Sequence, residues 1–302
     1  MSFFNPDGSI NSAAIEQHRK ACEEADKIYL YHPSSQEEAR QHCQARRLAL
    51  RKREELEMSI VEKAIEFRNN DYVLFCDDEE VNRKTREHFV TYPHLYVLCC
   101  LMDKQIDAAK AWRIPYTVCE YFGTYDIFEL NRISLDRYLD IFNDRKLHRF
   151  NDSMASVFKS ALERIVAQYD GRASMIWEGN PSSATVVARF LEFDGCGVKI
   201  ATMATNLLHR ALSVNYSDYS SVDISPDVHI MRVMNRLGLL PDKKIDDRTF
   251  AIYRAREINP EYPGILDGLF WSVGKNYCRP SNPACHACSL NSVCNHYRTN
   301  RI

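Results

Sequence analysis

The sequence predicts an all-α fold, and three observations lead to that prediction. Apolar residues recur at intervals of three and four in several segments, which is the spacing of one helix face. The long stretch Gln36–Asn69 contains neither glycine nor proline, so no residue in it is a strong helix breaker. No segment shows the sustained alternation of apolar and polar residues that marks a half-buried strand.

The first predicted helix spans Gln36–Asn69, with Ser34 and Ser35 as candidate N-caps. Its first half is dense in charged residues of both signs, namely Arg40, Arg46, Arg47, Arg51, Lys52 and Arg53 with Glu37, Glu38, Glu54, Glu55 and Glu57. A solvated helix face with internal ion pairs explains this pattern. A basic contact surface for a polyanion is the alternative explanation.

Two further helices are predicted from apolar stripes. One stripe consists of Met154, Val157, Phe158, Ala161, Leu162 and Ile165. Asp152 or Ser153 precedes it as a start signal, and Gly171 follows it as a stop signal. The second stripe consists of Ile200, Met203, Ala204, Leu207, Leu208 and Ala211. Each pattern indicates an amphipathic helix that packs one face on a core.

A fourth helix is predicted from Ser225 to Gly238. Ser225 is its expected N-cap and Pro226 its first helical residue, because proline is tolerated where the N–H has no partner. Loops are expected where glycine, proline and small polar residues cluster, in the segments Gly179–Pro181, Asn215–Pro226 and Asn259–Gly264.

The composition is that of an ordinary globular protein. The chain has 302 residues, of which 45% are hydrophobic and 26% charged, and a formal net charge of −2. These values exclude disordered, collagen-like and low-complexity classes, and the length suits two domains. The near-neutral charge does not by itself predict a nucleic-acid-binding protein, which is often basic.

The sequence also predicts an intracellular protein, in the cytoplasm or with the DNA. No apolar run approaches the roughly 20 residues of a membrane span, so we expect no membrane association. The first residues show no basic region followed by an apolar stretch, so we expect no secretory signal.

Four of the 11 cysteines crowd into the C-terminal tail. Cys278, Cys285, Cys288 and Cys294 are separated by six, two and five residues. In a reducing compartment such a cluster indicates a metal site rather than disulfides. Structural zinc usually takes two CxxC-like pairs, whereas one CxxC with two looser arms suits a bulkier [4Fe–4S] cluster. The spacing therefore favours the cluster, with zinc and chance crowding as alternatives.

The remaining seven cysteines are scattered, and we expect most of them to be buried as small apolar residues. They are Cys22, Cys43, Cys76, Cys99, Cys100, Cys119 and Cys196.

The tail around the four cysteines is basic. From Gly268 to Ile302 there is no Asp or Glu, and four cations are present, namely Lys275, Arg279, Arg298 and Arg301. A [4Fe–4S]²⁺ core with four thiolates carries a net charge of −2, which these cations offset. Surplus positive charge, above all that of Arg279 between the first two cysteines, is available to a phosphate backbone.

The segment FDGCGVKIA contains a candidate ligand-binding turn. Gly195 and Gly197 permit a sharp turn and a close approach to a ligand, and the N–H groups that open the next helix favour phosphate. Lys199 follows in the first turn of that helix, and Asp227 lies in the first turn of the fourth. Taken singly, these residues are equally explained as a tight turn, a surface lysine and a helix-stabilising acid.

Together these features resemble the endonuclease III branch of the helix–hairpin–helix DNA glycosylases. The resemblance consists of the GxG hairpin, the lysine two residues beyond it, a helix that opens PDVHIMRV, and the Cys-x6-Cys-x2-Cys-x5-Cys tail. The segment LDGLFWSVGKNYC is similar to the family's approach to its cluster. The resemblance covers roughly Tyr92 to Tyr297 and implies two helical lobes, one with an iron–sulfur cluster, and a DNA-binding cleft between them.

The resemblance also implies roles for single residues. Lys199 falls on the family's catalytic lysine and Asp227 on its catalytic aspartate, while Gly195 and Gly197 fall on its DNA-binding hairpin. In the segment LMDKQID, Gln105 stands where the family has a glutamine that fills the gap left by a flipped base.

Three departures from the family pattern surround the hairpin. Asp194 stands where a proline is usual, and Cys196 where a branched aliphatic residue is usual. The connection from Lys199 to Asp227 is longer than typical.

Three domains follow from this alignment. Residues 1–90 form an N-terminal helical extension, part of which is a candidate for packing on the cluster lobe. Residues 91–212 form a helical barrel domain with the helix–hairpin–helix. Residues 213–302 form the domain of the catalytic aspartate and the [4Fe–4S] cluster.

The implied function is that of a DNA glycosylase with AP lyase activity. A damaged or modified base is flipped from duplex DNA, and the neutral Lys199 amine, favoured by a partly desolvated pocket, attacks the sugar C1′. Asp227 stabilises positive charge on the sugar, and the resulting Schiff base permits β-elimination. Double-stranded DNA with such a base or an abasic site is the expected partner of a monomeric protein.

Three other functions are alternatives. The first is a non-catalytic homologue that recognises a modified base or a DNA structure. The second is a monofunctional glycosylase whose Lys199 contacts phosphate. The third is a zinc-stabilised helical protein without a DNA role.

Overall fold

The computed structural model describes residues 36–70 and 75–299, and these residues form helices and loops without any β-strand. The all-α prediction is confirmed. The described α-helices are α1 Gln36–Asn70, α2 Glu79–His88, α3 Pro93–Met102, α4 Ala108–Phe122, α5 Ile127–Arg132, α6 Leu135–Asp144, α7 Asn151–Tyr169, α8 Ser183–Leu191, α9 Val198–Leu212, α10 Val228–Leu237, α11 Arg248–Ile258, α12 Ile265–Asn276 and α13 Asn295–Thr299. Across residues 36–70 and 75–299, no helix has both the length and the apolar character that a bilayer crossing requires.

The chain divides into two units, Met1–Glu55 and Leu56–Ile302. The described part of the first unit is the first half of α1, where every residue from Cys43 to Glu55 is exposed. The candidate N-caps Ser34 and Ser35 lie outside the described residues. Apart from Cys22 and Cys43, the features below belong to the second unit.

The second unit contains two hydrophobic cores. The first core draws on residues between Phe75 and Val222, and the second on the rest of α1 together with residues between Ile224 and Leu290. Helix α9 packs its apolar face in the first core, and α10 packs its own in the second. Helices α9 and α10, which follow one another in the sequence, therefore pack in different cores.

Helices α7 and α9 confirm the predicted apolar stripes. All six predicted core residues of α7 are buried, and the helix ends at Tyr169, followed by the left-handed C-cap Asp170 and by Gly171 with φ of +75°. The helix begins at Asn151, slightly before the predicted start signals, so Asp152 lies in its first turn. In α9 the stripe is buried except for the half-buried Met203.

The predicted start of α10 is wrong. The helix begins at Val228, and Asp227 is its N-cap, with a carboxylate that accepts hydrogen bonds from two backbone N–H groups of the first turn. Ser225 lies outside the helix and does not cap it, and its backbone N–H donates to the Asp267 carboxylate 2.5 Å away. The predicted end is confirmed by Gly238, whose φ of +84° terminates the helix.

The predicted loops and most of the scattered cysteines also agree with the structure. All three predicted loop segments lie outside the α-helices. Cys76, Cys99, Cys100 and Cys119 are buried as expected. Cys43 is exposed because it lies on the exposed part of α1, Cys196 is half-buried in the hairpin, and Cys22 lies outside the described residues.

Candidate active site

A cavity of about 580 Å³ is lined by residues of both cores. It brings together five of the residues singled out from the sequence, namely Gly195, Gly197, Lys199, Asp227 and Gln105. The volume lies within the range of small-ligand sites in proteins. Residues that are separate in the sequence thus share one concave surface.

The fold requires glycine at one of the two hairpin positions and not at the other. Gly195 has φ of +75°, and a Cβ there would lie 2.9 Å from Cγ2 of Val157 on α7, so the fold itself requires glycine. Gly197 is the N-cap of α9 with φ of −97°, and a Cβ there would meet nothing within 4 Å. No described residue requires glycine at position 197. Its missing side chain leaves space for a group that approaches from outside the chain.

Lys199 lies in the first turn of α9 at the edge of the cavity, and its side chain is 31% exposed. Its Nζ lies 3.5 Å from Oδ2 of Asp103 and 3.5 Å from the Asp103 carbonyl oxygen. Asp103 follows α3 and lines the same cavity. The ion pair holds the amine beside the cavity, and a nucleophilic amine would have to leave it and lose a proton.

Asp227 reaches the cavity as the N-cap of α10. Its Oδ1 accepts hydrogen bonds from the N–H groups of His229 and Ile230, each at 2.8 Å. Its Oδ2 has no hydrogen-bond partner within the described ranges. One oxygen therefore fixes the carboxylate, and the other is available to a ligand.

Gln105 lies in the loop between α3 and α4, and its side chain is exposed at the cavity. Its φ of +57° places it in the left-handed region, which is unfavourable for a residue other than glycine. The loop thus holds an exposed amide side chain at the cavity in a defined backbone conformation.

Three further polar residues, two buried and one half-buried, line the cavity without having been assigned to a site from the sequence. They are Arg210 at the end of α9, Ser225 before α10 and Asp267 on α12. Nη1 of Arg210 lies 3.5 Å from Oδ2 of Asp267. Burial raises the pKa of the Asp267 carboxyl, while Arg210 and the Ser225 N–H act in the opposite direction. No local pattern marks this group, because its members come from three separate segments.

The four tail cysteines line a second, smaller cavity together with Arg236 and His296. All four thiols are free and half-buried. Arg236 Nη1 lies 3.4 Å from Sγ of Cys278 and also donates to the carbonyl oxygen of Arg279 at 2.7 Å. Within residues 36–70 and 75–299, no group of three His, Cys, Asp or Glu side chains is arranged to hold a metal ion.

The donor set of this second cavity fits an iron–sulfur cluster. Burial raises the pKa of the Cys288 and Cys294 thiols, and the neighbouring cysteines raise it further, so their thiolate forms require nearby positive charge. Arg236 supplies one such charge. Four thiols that line one cavity could supply one thiolate to each iron of a cubane.

Arg279 is not brought to the larger cavity. Its side chain is exposed beside the cysteines, with Nη2 at 3.4 Å from the carbonyl oxygen of Asn276. Lys275, another cation of the acid-free tail, lines the larger cavity and forms an ion pair with Asp77 outside the tail. Arg301 lies beyond the described residues.

Comparison with known proteins agrees with this architecture. No family model matches the chain. Endonuclease III of Thermotoga maritima is 22% identical over 221 residues, which are 73% of this chain and 91% of that protein. The structure of a thermostable thymine-DNA glycosylase matches with a TM-score of 0.56 at 14% identity, over 81% of this chain and 98% of that one. The chain has the fold of the helix–hairpin–helix DNA glycosylases.

Two endonuclease III structures also share this glycosylase fold. A trapped endonuclease III–DNA covalent intermediate matches with a TM-score of 0.51 at 15% identity, over 72% of this chain and 93% of that one. A non-covalent endonuclease III–DNA complex matches with a TM-score of 0.50 at 15% identity, over 73% and 96%. The endonuclease III-like resemblance stated from the sequence is confirmed.

Proposed function

We propose that the chain is a DNA glycosylase that removes a damaged or modified base flipped from duplex DNA, and that Lys199 adds AP lyase activity. The observation that carries the proposal is the meeting of Lys199 and Asp227, which belong to helices of different cores, in one cavity of about 580 Å³. The similarity to endonuclease III and to structures of that protein with DNA supports it.

The hairpin is the proposed contact to the DNA backbone. Gly197 caps α9 without any side-chain hydrogen bond, so the first N–H groups of α9 have no side-chain acceptor. Free N–H groups at a helix N-terminus favour a phosphate group, and the open space beside Gly197 lets a phosphate approach them. Gln105 is the proposed side chain that occupies the space of the flipped nucleotide.

Base removal follows from the positions of Lys199 and Asp227. The neutral amine of Lys199 forms a bond to C1′ while the glycosidic bond breaks, and the base leaves with the bonding electrons. The free Oδ2 of Asp227 stabilises the positive charge that develops on the sugar. Asp103, which pairs with Lys199 in the free protein, must release the amine before attack.

Strand cleavage then requires a base that accepts a C2′ proton, a role for which we propose the Asp227 carboxylate. Ring opening of the sugar leaves C1′ joined to the lysine nitrogen as a Schiff base. Loss of a C2′ proton eliminates the 3′ phosphate and cuts the strand on the 3′ side of the abasic site. A lysine at position 199 therefore favours a bifunctional enzyme over one that only removes the base.

The four cysteines are the proposed ligands of a [4Fe–4S] cluster. When bound, the cluster supplies a structural cross-link between Cys278, Cys285, Cys288 and Cys294. Arg236 lies within 3.4 Å of Cys278 Sγ and partly offsets the negative charge of the thiolates. The reaction proposed above runs through the residues of the larger cavity.

Borohydride trapping on duplex DNA with an abasic site tests the role of Lys199. We expect a covalent adduct with the wild-type protein and none with Lys199→Gln, because only a Schiff base is reduced to a stable amine. Lys275→Gln is the matched control, since Lys275 lines the same cavity in an ion pair with Asp77. An adduct that survives Lys199→Gln contradicts the assignment, and a wild type that releases bases without an adduct is monofunctional.

Asp227→Asn tests the role of the carboxylate in base excision. Asparagine is as good an N-cap as aspartate, so α10 should stay intact while the negative charge is lost. We expect base excision to slow by about 10²–10³-fold, the usual effect of removing one stabilising group from a transition state. An unchanged excision rate would remove Asp227 from the chemistry.

A further inference from the structure

Aromatic rings are scarce on the wall of the larger cavity. Among the described residues that line it, Phe75 and Trp271 are those with a benzene or indole ring. Phe75 is 5% exposed and stacks on Trp112 with ring centres 4.8 Å apart, so its ring belongs to the first core. Trp271, on α12, is half-buried and keeps accessible surface. It is therefore the aromatic side chain of this wall that a ligand can reach.

Trp271 stands in a row of α12 residues that faces the cavity. Asp267, Trp271 and Lys275 are spaced four residues apart, which places them on one side of the helix, and all three line the cavity. The indole is thus directed to the cavity by the helix itself.

Two contacts join α12 to the chain on either side of Asp227. Asp267 accepts the backbone N–H of Ser225, which precedes Asp227 by two residues, at 2.5 Å. A Cβ at Gly274 would lie 2.7 Å from Cβ of His229, which follows Asp227 by two residues, so the two backbones are in close contact there. The middle of α12 therefore runs past Asp227.

Trp271 lies between these two contacts. It follows Asp267 by four residues and precedes Gly274 by three, which is at most about 6 Å along the helix axis in either direction. Trp271 and Asp227 therefore line the same part of the cavity. A sugar whose C1′ lies between Lys199 and Asp227, as the proposed reaction requires, has its base within reach of the indole.

We propose that the flipped base stacks on Trp271, on the ring face opposite the Lys275 ammonium, which lies 4.9 Å from the ring centre. This inference rests on the proposed glycosylase function. Stacking on an aromatic side chain strengthens the binding of a base about tenfold, and it tolerates different bases because every base has a π face. Trp271 is therefore expected to hold pyrimidines and purines alike.

A purely structural Trp271 predicts a different result. The side chain also packs against the second core. If packing is its whole role, its loss lowers stability and weakens binding to all DNA alike. If it stacks on the base, its loss weakens binding only to DNA that offers a base. A duplex without the base therefore separates the two roles.

The binding test uses the full-length protein and three duplexes. Two carry a 2′-fluoro nucleotide that resists excision, with uracil in one and hypoxanthine in the other, and the third carries a tetrahydrofuran abasic analogue at that position. A second abasic analogue stands opposite, so that no base pair has to be broken. We expect Trp271→Leu to weaken binding to the first two about tenfold and to leave the third unchanged. Trp271→Phe, which keeps an aromatic face, should stay within about threefold of the wild type.

Tryptophan fluorescence supplies a second readout on the wild-type protein. The chain has three tryptophans, of which Trp112 and Trp177 are buried, with exposures of 0% and 5%. A base stacked on Trp271 quenches its emission, so the two base-bearing duplexes should quench and the abasic duplex should not. Trp177→Phe is the control, because Trp177 stacks on Phe89 in the first core outside the cavity. That variant should retain the base-dependent quenching.

Equal weakening of all three duplexes by Trp271→Leu, no weakening at all, or equal quenching by all three would overturn the inference. The fluorescence of the wild type decides the question if Trp271→Leu does not fold. Borohydride trapping at a natural abasic site needs no base, so Trp271→Leu should trap as the wild type does. A protein that traps without base-dependent quenching refutes only the stacking inference, and one that shows such quenching without trapping refutes only the lyase proposal.

Discussion

The two cavities of the second unit are constructed in opposite ways. The thiols of the smaller cavity come from one short stretch, Cys278 to Cys294, while the larger cavity draws on residues from Phe75 to Lys275. Around the cysteines, arginine side chains are tied to the protein, as Arg236 is to the carbonyl oxygens of Arg279 and Pro280. In the larger cavity, Oδ1 of Asp227 accepts two backbone hydrogen bonds, while its Oδ2 accepts none from the residues that the structure describes.

This difference is the one expected between the proposed resident cluster and the proposed exchanging DNA ligand. A site that holds a permanent cofactor can satisfy its surrounding polar groups within the protein once and for all. A site that binds and releases a ligand must leave some of them for the ligand, at a cost in stability to the free protein. The smaller cavity has the first character and the larger cavity the second.

Loss of one thiol from the smaller cavity should have the largest effect on stability. Cys288→Ser removes one of four proposed ligands, so we expect the visible charge-transfer absorption to disappear and the thermal unfolding midpoint to fall, because metal binding contributes to folding. Absorption spectra, metal analysis and calorimetry measure both. Cys43→Ser, on the exposed part of α1, should change neither. A colourless wild type with bound zinc would decide against the iron–sulfur cluster.

Substitutions of the two hairpin glycines separate a residue of the larger cavity that serves the fold from one that serves DNA binding. Gly195→Ala forces a side chain into the left-handed region and against Val157, so we expect a loss of about 1–3 kcal/mol in the free energy of unfolding. Gly197→Ala should change stability by less than about 0.5 kcal/mol but weaken DNA binding about fivefold, by obstructing one backbone hydrogen bond. Urea unfolding and DNA titration measure the pair. Equal destabilisation by both substitutions would show that Gly197 also serves the fold.

Arg279 tests whether the region of the smaller cavity touches DNA at all. Arg279→Ala should weaken binding to every sequence and lower the slope of log affinity against log salt by about one, the effect of losing one phosphate contact. Arg83→Ala is the control, since Arg83 is exposed and pairs with Glu87 on α2. A salt slope that stays unchanged in Arg279→Ala would confine the DNA contacts to the larger cavity.

The parts of the molecule that were predictable from sequence are those with local causes. The stripe of α9 and the stop at Gly171 depend on residues a few positions apart, and the structure confirms both. The start of α10 was mispredicted because Ser225 and Asp227 are both good N-caps locally. In the structure Asp227 caps the helix, while the Ser225 N–H donates to Asp267 on a distant helix, a contact that no local pattern indicates.

The Arg210–Asp267 pair and the Lys199–Asp103 pair could not be predicted for the same reason. Asp103 stands in the segment that suggested Gln105, yet its pairing with Lys199 requires α3 and α9 to pack together. Arg210 lies at the end of an apolar stripe, where a cation is ordinary for a helix C-terminus. Only the fold shows that it is buried against Asp267.

Helix α1 has a consequence for how the chain can be shortened. Ile60 and Ala64 have no exposed surface, and Glu57 forms an ion pair with Arg254, which is 5% exposed. Truncation of the chain at residue 90 would therefore strip the second core of packing and leave a buried guanidinium without that partner. Truncation just before Leu56 would remove no buried side chain of the described residues. Evolution is correspondingly free to vary the first half of this helix, while its second half must change together with the core it covers.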